Sequence, residues 1–185
     1  PIGPVEQIPT AIQHFHEFCA QNDWMPAFAS TLPDYLDQYR KIGMEEICIG
    51  YEAIVDLQNF SLEGSQNKDV RNAVNRMIRN GYQVKIYQPP IEDRLINTLH
   101  GISNLWLTIH KGGEMHFSDG WFNEKYIRSC PIAVVFSPEG TATAFANLVG
   151  EYQNNEITID LMRHLPKIEN GTMEFLFAQM LSWAK

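Results

Sequence analysis

Cysteine is scarce in this sequence, three in 185 residues, and Cys19, Cys48 and Cys130 lie far apart without a Cys-x-x-Cys pair. Their odd number and wide spacing count against a disulfide framework and against a thiolate zinc site, and three buried thiols in a reducing cytosol are expected. Long apolar runs are missing as well. No stretch approaches the roughly 20 residues that a membrane-crossing helix needs, and no signal peptide is visible, so the expectation is a soluble, cytoplasmic chain. Positive charge is short: 14 Lys and Arg against 22 Asp and Glu leave a formal charge of −8. That balance argues against a protein gripping nucleic acid over its whole surface, because phosphate binding is driven by clustered cations. There is no G-x-G-x-x-G, no Walker A loop and no low-complexity linker, and nucleotide-binding folds lose ground accordingly. The histidines lack ligand spacing, with His14 and His16 only two apart on a helix and so facing different ways; no metal is expected. A chain start at Pro1 and a last helix that stops at "LSWAK" without Gly, Asn or Pro read as the ends of a fragment.

What is present is globular: 44% hydrophobic and 11% aromatic residues suffice for one core or two small lobes. "IPTAIQHFHEFCAQN" places Ile8, Ile12, Phe15 and Cys19 on one helical stripe. "LPDYLDQYRKIG" predicts a shorter helix with Leu36, Tyr39 and Ile42 inward and Gly43 as its stop. "EEICIGYEAIVDL" alternates as one or two strands. Next comes a helix with Val70, Val74, Met77 and Ile78 on one side and Gly81 at its end, then a strand from Tyr82 to Tyr87 closed by Pro89-Pro90. The longest helix carries Leu95, Leu99, Ile102, Trp106 and Ile109 at helical spacing and ends at Gly112-Gly113. After the turn-rich, aromatic "EMHFSDGWFNEKYIRSCP", two β-rich runs around Pro138-Glu139-Gly140 predict a hairpin. "EITIDLMR" follows as a third antiparallel strand, and a final helix begins near Asn170-Gly171-Thr172. The order predicts an α/β (α+β) chain whose mostly antiparallel mixed sheet is flanked by helices.

Charge then marks the candidate residues. Lys68, Arg71, Arg76, Arg79 and Lys85 stand against the single acid Asp69 between residues 66 and 85, which reads either as a solvated helix face or as a local anion-binding patch. In "EITIDLMR", strict alternation puts Ile157, Ile159 and Leu161 on one face and Thr158, Asp160 and Met162 on the other. Arg163 would then face away from Asp160 unless the strand bulges or ends at Met162. A structural ion pair at a strand end is one reading of these two residues; a general base beside an anion-holding guanidinium is the other. Glu174 falls in the first turn of the last helix, where a carboxylate is favoured by the helix dipole and free N–H groups can also take a phosphate.

The ordered blocks "EAIVDLQNFSLEG", "RNAVNRMIRNGY", "SDGWFNEKYI", "PIAVVF", "AFANL", "ITIDLMRHLP" and "NGTMEFLF…LSWAK" resemble the C-terminal cytoplasmic domain of the phosphatidylglycerol lysyltransferase family, over essentially the whole chain. The resemblance implies a tandem of two acyltransferase lobes of the GNAT type, with residues 1–57 as the closing part of the first lobe and 58–185 as the opening and middle of the second. It implies transfer of an aminoacyl group from aminoacyl-tRNA to a hydroxyl of phosphatidylglycerol, without metal or cofactor, at the inner face of the cell membrane and with a membrane region attached in the full-length protein. On this resemblance Asp160 and Arg163 occupy the family's "DLMR" positions as catalytic candidates. Glu174, Asn170, Arg71, Asn72, Asn75 and Trp121 are carried over as substrate-binding candidates. His164 departs from the family in standing where an aromatic is common. The amino acid transferred, lysine or alanine, is not read from these blocks. A non-catalytic lobe that binds lipid, tRNA or a partner is the competing class. An acetyl-CoA N-acetyltransferase is disfavoured because "HLPKIENGTM" lacks the glycine pattern of a pyrophosphate loop.

Overall fold

The computed structural model describes residues 3–29, 31, 33–110, 113–114, 120–150 and 155–185. It divides into two compact units, Pro1–Ala53 and Ile54–Lys185. In the first unit, helix α1 (Ile8–Gln21) and the short helix α2 (Leu36–Lys41) bury Ile8, Ile12 and Tyr39, with Phe28, Ile42 and Met44 packed on them. Phe28 lies 4.8 Å from the Tyr39 ring, centroid to centroid. Gly43, at φ 82°, turns the chain out of α2, a left-handed conformation that glycine adopts without steric cost. Phe15, placed inward by its spacing, is 45% exposed and meets Phe28 edge-on instead.

The strand expected in residues 45–57 is absent. Ile47, Ile49 and Tyr51 alternate as a strand would, yet all three are largely exposed, and none has a ladder partner. Alternation gives a segment an apolar face; a strand also needs a neighbour for its N–H and C=O groups. Cys48 shares this exposure, against the expectation of three buried thiols, while Cys19 and Cys130 are buried and all three are free.

In the second unit, helix α3 (Lys68–Arg79) leads into strand β1 (Gln83–Tyr87), helix α4 (Asp93–Ile109) and the short helix α5 (Glu124–Ser129). Strands β2 (Ile132–Phe136), β3 (Ala142–Gly150) and β4 (Ile157–His164) form the predicted meander, and helix α6 (Thr172–Ala184) closes the order. The four strands run β1-β2-β3-β4, every ladder antiparallel. Helix α5 was not expected. Only one turn and a half long, it is too short to display a helical stripe, but Asn123 caps it by accepting from the Tyr126 N–H at 3.1 Å.

The pleat sorts the core into two layers. Ala133 and Val135 of β2 join Val74 and Met77 of α3 and Phe175, Leu176 and Met180 of α6 on one face. Ile132 and Val134 join Ile96, Leu99 and Ile102 of α4, Ile127 of α5 and Phe145 of β3 on the other. Ile78, predicted inward on α3, is 54% exposed, because the buried arc of the helix is centred on Val74 and Met77.

Candidate functional site

A register shift opposite Asn147 sets the geometry of the candidate residues. In the β3–β4 ladder Ala146 opposes Met162 and Leu148 opposes Ile159, so the single residue Asn147 faces both Asp160 and Leu161. This is a β-bulge, in which an extra residue on one strand resets the alternation beyond it. Ile157, Ile159 and Met162 consequently share the α3/α6 face, while Leu161 belongs to the α4 face. The side chains of Asp160 and Arg163 also reach elements of that face. Strict alternation would exchange Leu161 and Met162. It also separates Asp160 from Arg163; the bulge at Asp160 and Leu161, just before Met162, puts them on one side.

Asp160 is half-buried and doubly bonded. Its Oδ2 accepts from the Tyr126 hydroxyl at 2.6 Å, and its Oδ1 accepts from the Gly120 N–H at 3.1 Å. Burial, and then the bond to Asp160, hold the Tyr126 hydroxyl well above the ordinary tyrosine pKa, so it stays a proton donor across physiological pH. Gly120 approaches so closely that a Cβ there would stand 2.1 Å from Asp160 Oδ2.

Arg163 is 3% exposed. Its Nη1 makes an ion pair with Glu114 Oε1 at 2.7 Å and donates to Ser103 Oγ of α4, and its guanidinium lies 5.0 Å from the Trp106 ring centroid. Such a partly charged, aromatic seat supports a buried cation. Glu114 Oε1 also accepts from the Phe122 N–H at 3.0 Å. Asp160 and Arg163 therefore do not pair with each other. Each holds a different point on the connection between α4 and α5, Asp160 at Gly120 and Arg163 through Glu114.

The remaining candidates divide between the two faces. Trp121, 39% exposed, follows Gly120 in the chain. Glu174 and Asn170 lie on the other face, where they line a cavity of about 620 Å³ with Leu62, Val70, Met173 and Phe177. Glu174 thus lies apart from Asp160 and Arg163, since α6 packs on the opposite face of the sheet. Arg71 on α3 donates to the carbonyls of Leu62 and Gly64 at 2.6 and 2.8 Å, and Asn72 and Asn75 are exposed. Arg76 donates to the Asn170 carbonyl at 2.8 Å. Lys68, Arg79 and Lys85 are exposed, and none of the described ion pairs includes a cation of this stretch.

Tyr126, Gly120, Asn147, Ser103 and Glu114 were not singled out from sequence. Two carried a readable signal: Asn147 is an amide in the middle of the apolar run "ATAFANLVG", and Ser103 interrupts the apolar side of α4 beside Ile102. Buried polar groups must find partners, so a polar residue inside a core element points to a built contact.

Comparison with known proteins places this chain in a family. The family described as "Phosphatidylglycerol lysyltransferase, C-terminal" matches residues 1–185. Phosphatidylglycerol lysyltransferase from Bacillus subtilis (strain 168) is 35% identical over 185 residues, which are 100% of this chain and 21% of the relative. The enzyme of the same name from Staphylococcus aureus (strain MSSA476) is 31% identical over 185 residues, 100% of this chain and 22% of its own length. The chain thus spans about a fifth of these curated relatives. Among solved structures, L-PGS from Bacillus licheniformis superimposes with a TM-score of 0.88 at 34% identity, over 98% of this chain and 57% of that one. A C-terminal DUF2156 domain from Agrobacterium fabrum, assigned to lysylphosphatidylglycerol synthetase, does so with a TM-score of 0.91 at 32% identity, over 100% and 58%.

Proposed function

The chain belongs to the phosphatidylglycerol lysyltransferase C-terminal family, and from that premise we propose that it forms part of an aminoacyl transferase working from aminoacyl-tRNA onto a hydroxyl of phosphatidylglycerol. The observation that carries this reading is the carboxylate of Asp160, brought by a bulge to the same face as Arg163 and held by Tyr126 and Gly120. The reaction is an ester exchange. The lipid hydroxyl oxygen attacks the aminoacyl carbonyl carbon while Asp160 takes the hydroxyl proton. The bond from that carbon to the tRNA ribose oxygen then breaks, and Asp160 returns the proton to the leaving ribose oxygen, which departs as a hydroxyl. Tyr126, a donor throughout the working pH range, fixes the orientation of the base. Arg163 contributes positive charge from behind the site rather than an open two-pronged clamp, since its Nη1 is engaged by Glu114 and Ser103. The exposed cations Lys68, Arg79 and Lys85, together with Asn72 and Asn75, are assigned to phosphate contact, and Trp121 to substrate contact beside Asp160. Glu174 and Asn170 belong to a separate binding surface on the α6 face.

The test is the lipid extract of cells expressing the full-length protein. An amino-acid-modified phospholipid should appear with the parent and vanish with Asp160→Asn at equal expression. The competing assignment, a lobe that only binds, is favoured by the depth at which Arg163 is buried. It prevails if the parent yields no modified lipid with any charged tRNA yet retains lipid or tRNA in a binding assay.

A further inference from the structure

Asn147 does more than fill the core. Its side chain is fully buried, and its Oδ1 accepts from the Leu161 N–H at 2.7 Å. A bulge leaves one residue of the strand without its ladder bond; here that orphan is Leu161, and the amide of Asn147 stands in for the missing backbone acceptor. The bulge and the Asn147 side chain are therefore one device. Without the acceptor, a buried N–H at Leu161 would lose its partner, a state native cores avoid. The strand could satisfy it by sliding into plain register, and a one-residue slip carries side chains to the opposite face. Asp160 and Arg163 would then no longer share a face.

The other half of the amide makes no such bond. Asn147 Nδ2 is buried without a hydrogen-bond partner, although the Tyr126 hydroxyl is near enough for Asn147 to lower its pKa against the stronger upward effects. Asparagine at this position thus adjoins both the backbone that sets Asp160 and the hydroxyl that holds it. An apolar residue of similar size in this layer, opposite Ile132 across the ladder, would leave the Leu161 N–H without this acceptor.

We infer that Asn147 is a positioning residue for the transfer reaction: its Oδ1 completes the bulge at Leu161, and through that bulge it places the Asp160 carboxylate. The inference rests on the assignment of Asp160 to the reaction, and the experiment keeps the two apart. In the full-length protein, Asn147→Ala is compared with Asp160→Asn and with Asn147→Asp, whose protonated carboxyl keeps an acceptor at the Oδ1 position. The expected result is a kcat at least a hundredfold lower for Asn147→Ala, with KM for lipid and donor within threefold of the parent. Hydrogen exchange at the Leu161 amide should accelerate in the same variant. Asn147→Asp should restore the exchange protection and at least tenfold of the lost kcat. A parental kcat in Asn147→Ala, with Asp160→Asn inactive, overturns the inference and leaves the functional assignment standing; parental turnover in Asp160→Asn overturns that assignment itself. If Asn147→Ala does not fold, Asn147→Gln, which displaces the same amide by one methylene, takes its place. Equal kcat in the Gln and Asp variants then overturns the inference, and a kcat at least tenfold lower in Gln at matched KM supports it.

Discussion

Two hydrogen bonds from different parts of the chain meet on Asp160, and each makes its own demand on a single residue. Removing the Tyr126 hydroxyl leaves Oδ2 without its donor; Tyr126→Phe is expected to lose on the order of 1 kcal/mol of stability, the usual net value of such a bond. The pH dependence has a definite sign. Folding raises the tyrosine pKa, so the protonated phenol is the form that stabilises the fold. The contribution is fully present below the unfolded value of about 10 and is lost as pH climbs from there toward the raised one. Urea unfolding of parent and Tyr126→Phe should therefore differ by a constant amount from about pH 6 to pH 9 and converge above about pH 10. Gly120→Ala makes the opposite error, adding matter where Asp160 Oδ2 would lie 2.1 Å away. It is expected to cost about 1–3 kcal/mol, as overpacking does, and to lower turnover at least tenfold, checked by unfolding and by the lipid-modification assay. The chemical type of Asp160 and Arg163 could be read from sequence; their common face could not, because alternation is a local rule and the bulge depends on Asn147 across the ladder.

Among elements, legibility followed how much of each element's stability is local. Helices α1, α3, α4 and α6 announce themselves by apolar spacing, and the β2–β3 hairpin by its turn, because both signals are written within one segment. Residues 45–57 carried a strand's pattern and formed none, since pairing needs a second segment and the described residues of the first unit supply no strand. Helix α5 had the reverse fate, existing by virtue of a cap and its seat against α4 and Asp160 rather than by any stripe of its own. The entry to α6 is where an element-scale prediction is sharpest. Gly171 sits at φ 94°, and a Cβ on it would lie 2.8 Å from Arg76 Nη2 and 3.2 Å from Ala73 Cβ. Gly171→Ala thus meets both the left-handed penalty, about 1–2 kcal/mol, and the surface of α3. Thermal unfolding should show that loss. The Arg76 bond to the Asn170 carbonyl should break with it, and Arg76→Ala placed on top of Gly171→Ala should then cost less than it does alone, a non-additivity expected of residues in contact.

For the whole molecule the proposed function raises the question of how a chain of net charge −8 would hold polyanionic substrates. Uniform attraction is ruled out by that charge, so any grip on phosphate must be local. The stretch from Lys68 to Lys85 is the place where cations outnumber acids. Within it the work is divided: Arg71 and Arg76 are tied to carbonyls of segments outside α3, whereas Lys68, Arg79 and Lys85 lie exposed, Arg79 with a bond only to the Asn75 carbonyl of its own helix and Lys85 with its ammonium 5.4 Å from the Phe136 ring centroid. Structural cations should govern stability and exposed ones should govern salt-dependent binding, because each phosphate contact releases counterions and adds about one to the slope of log affinity against log salt. Replacing Lys68 and Arg79 together by Ala in the full-length protein is accordingly expected to raise KM for aminoacyl-tRNA, leave kcat within twofold, and reduce that salt slope by about two. Arg71→Ala should instead lower the unfolding midpoint, through loss of the anchor on Leu62 and Gly64, before it touches the slope. An unchanged slope in the double variant would move nucleic-acid contact away from α3 and leave this face to the lipid or to solvent.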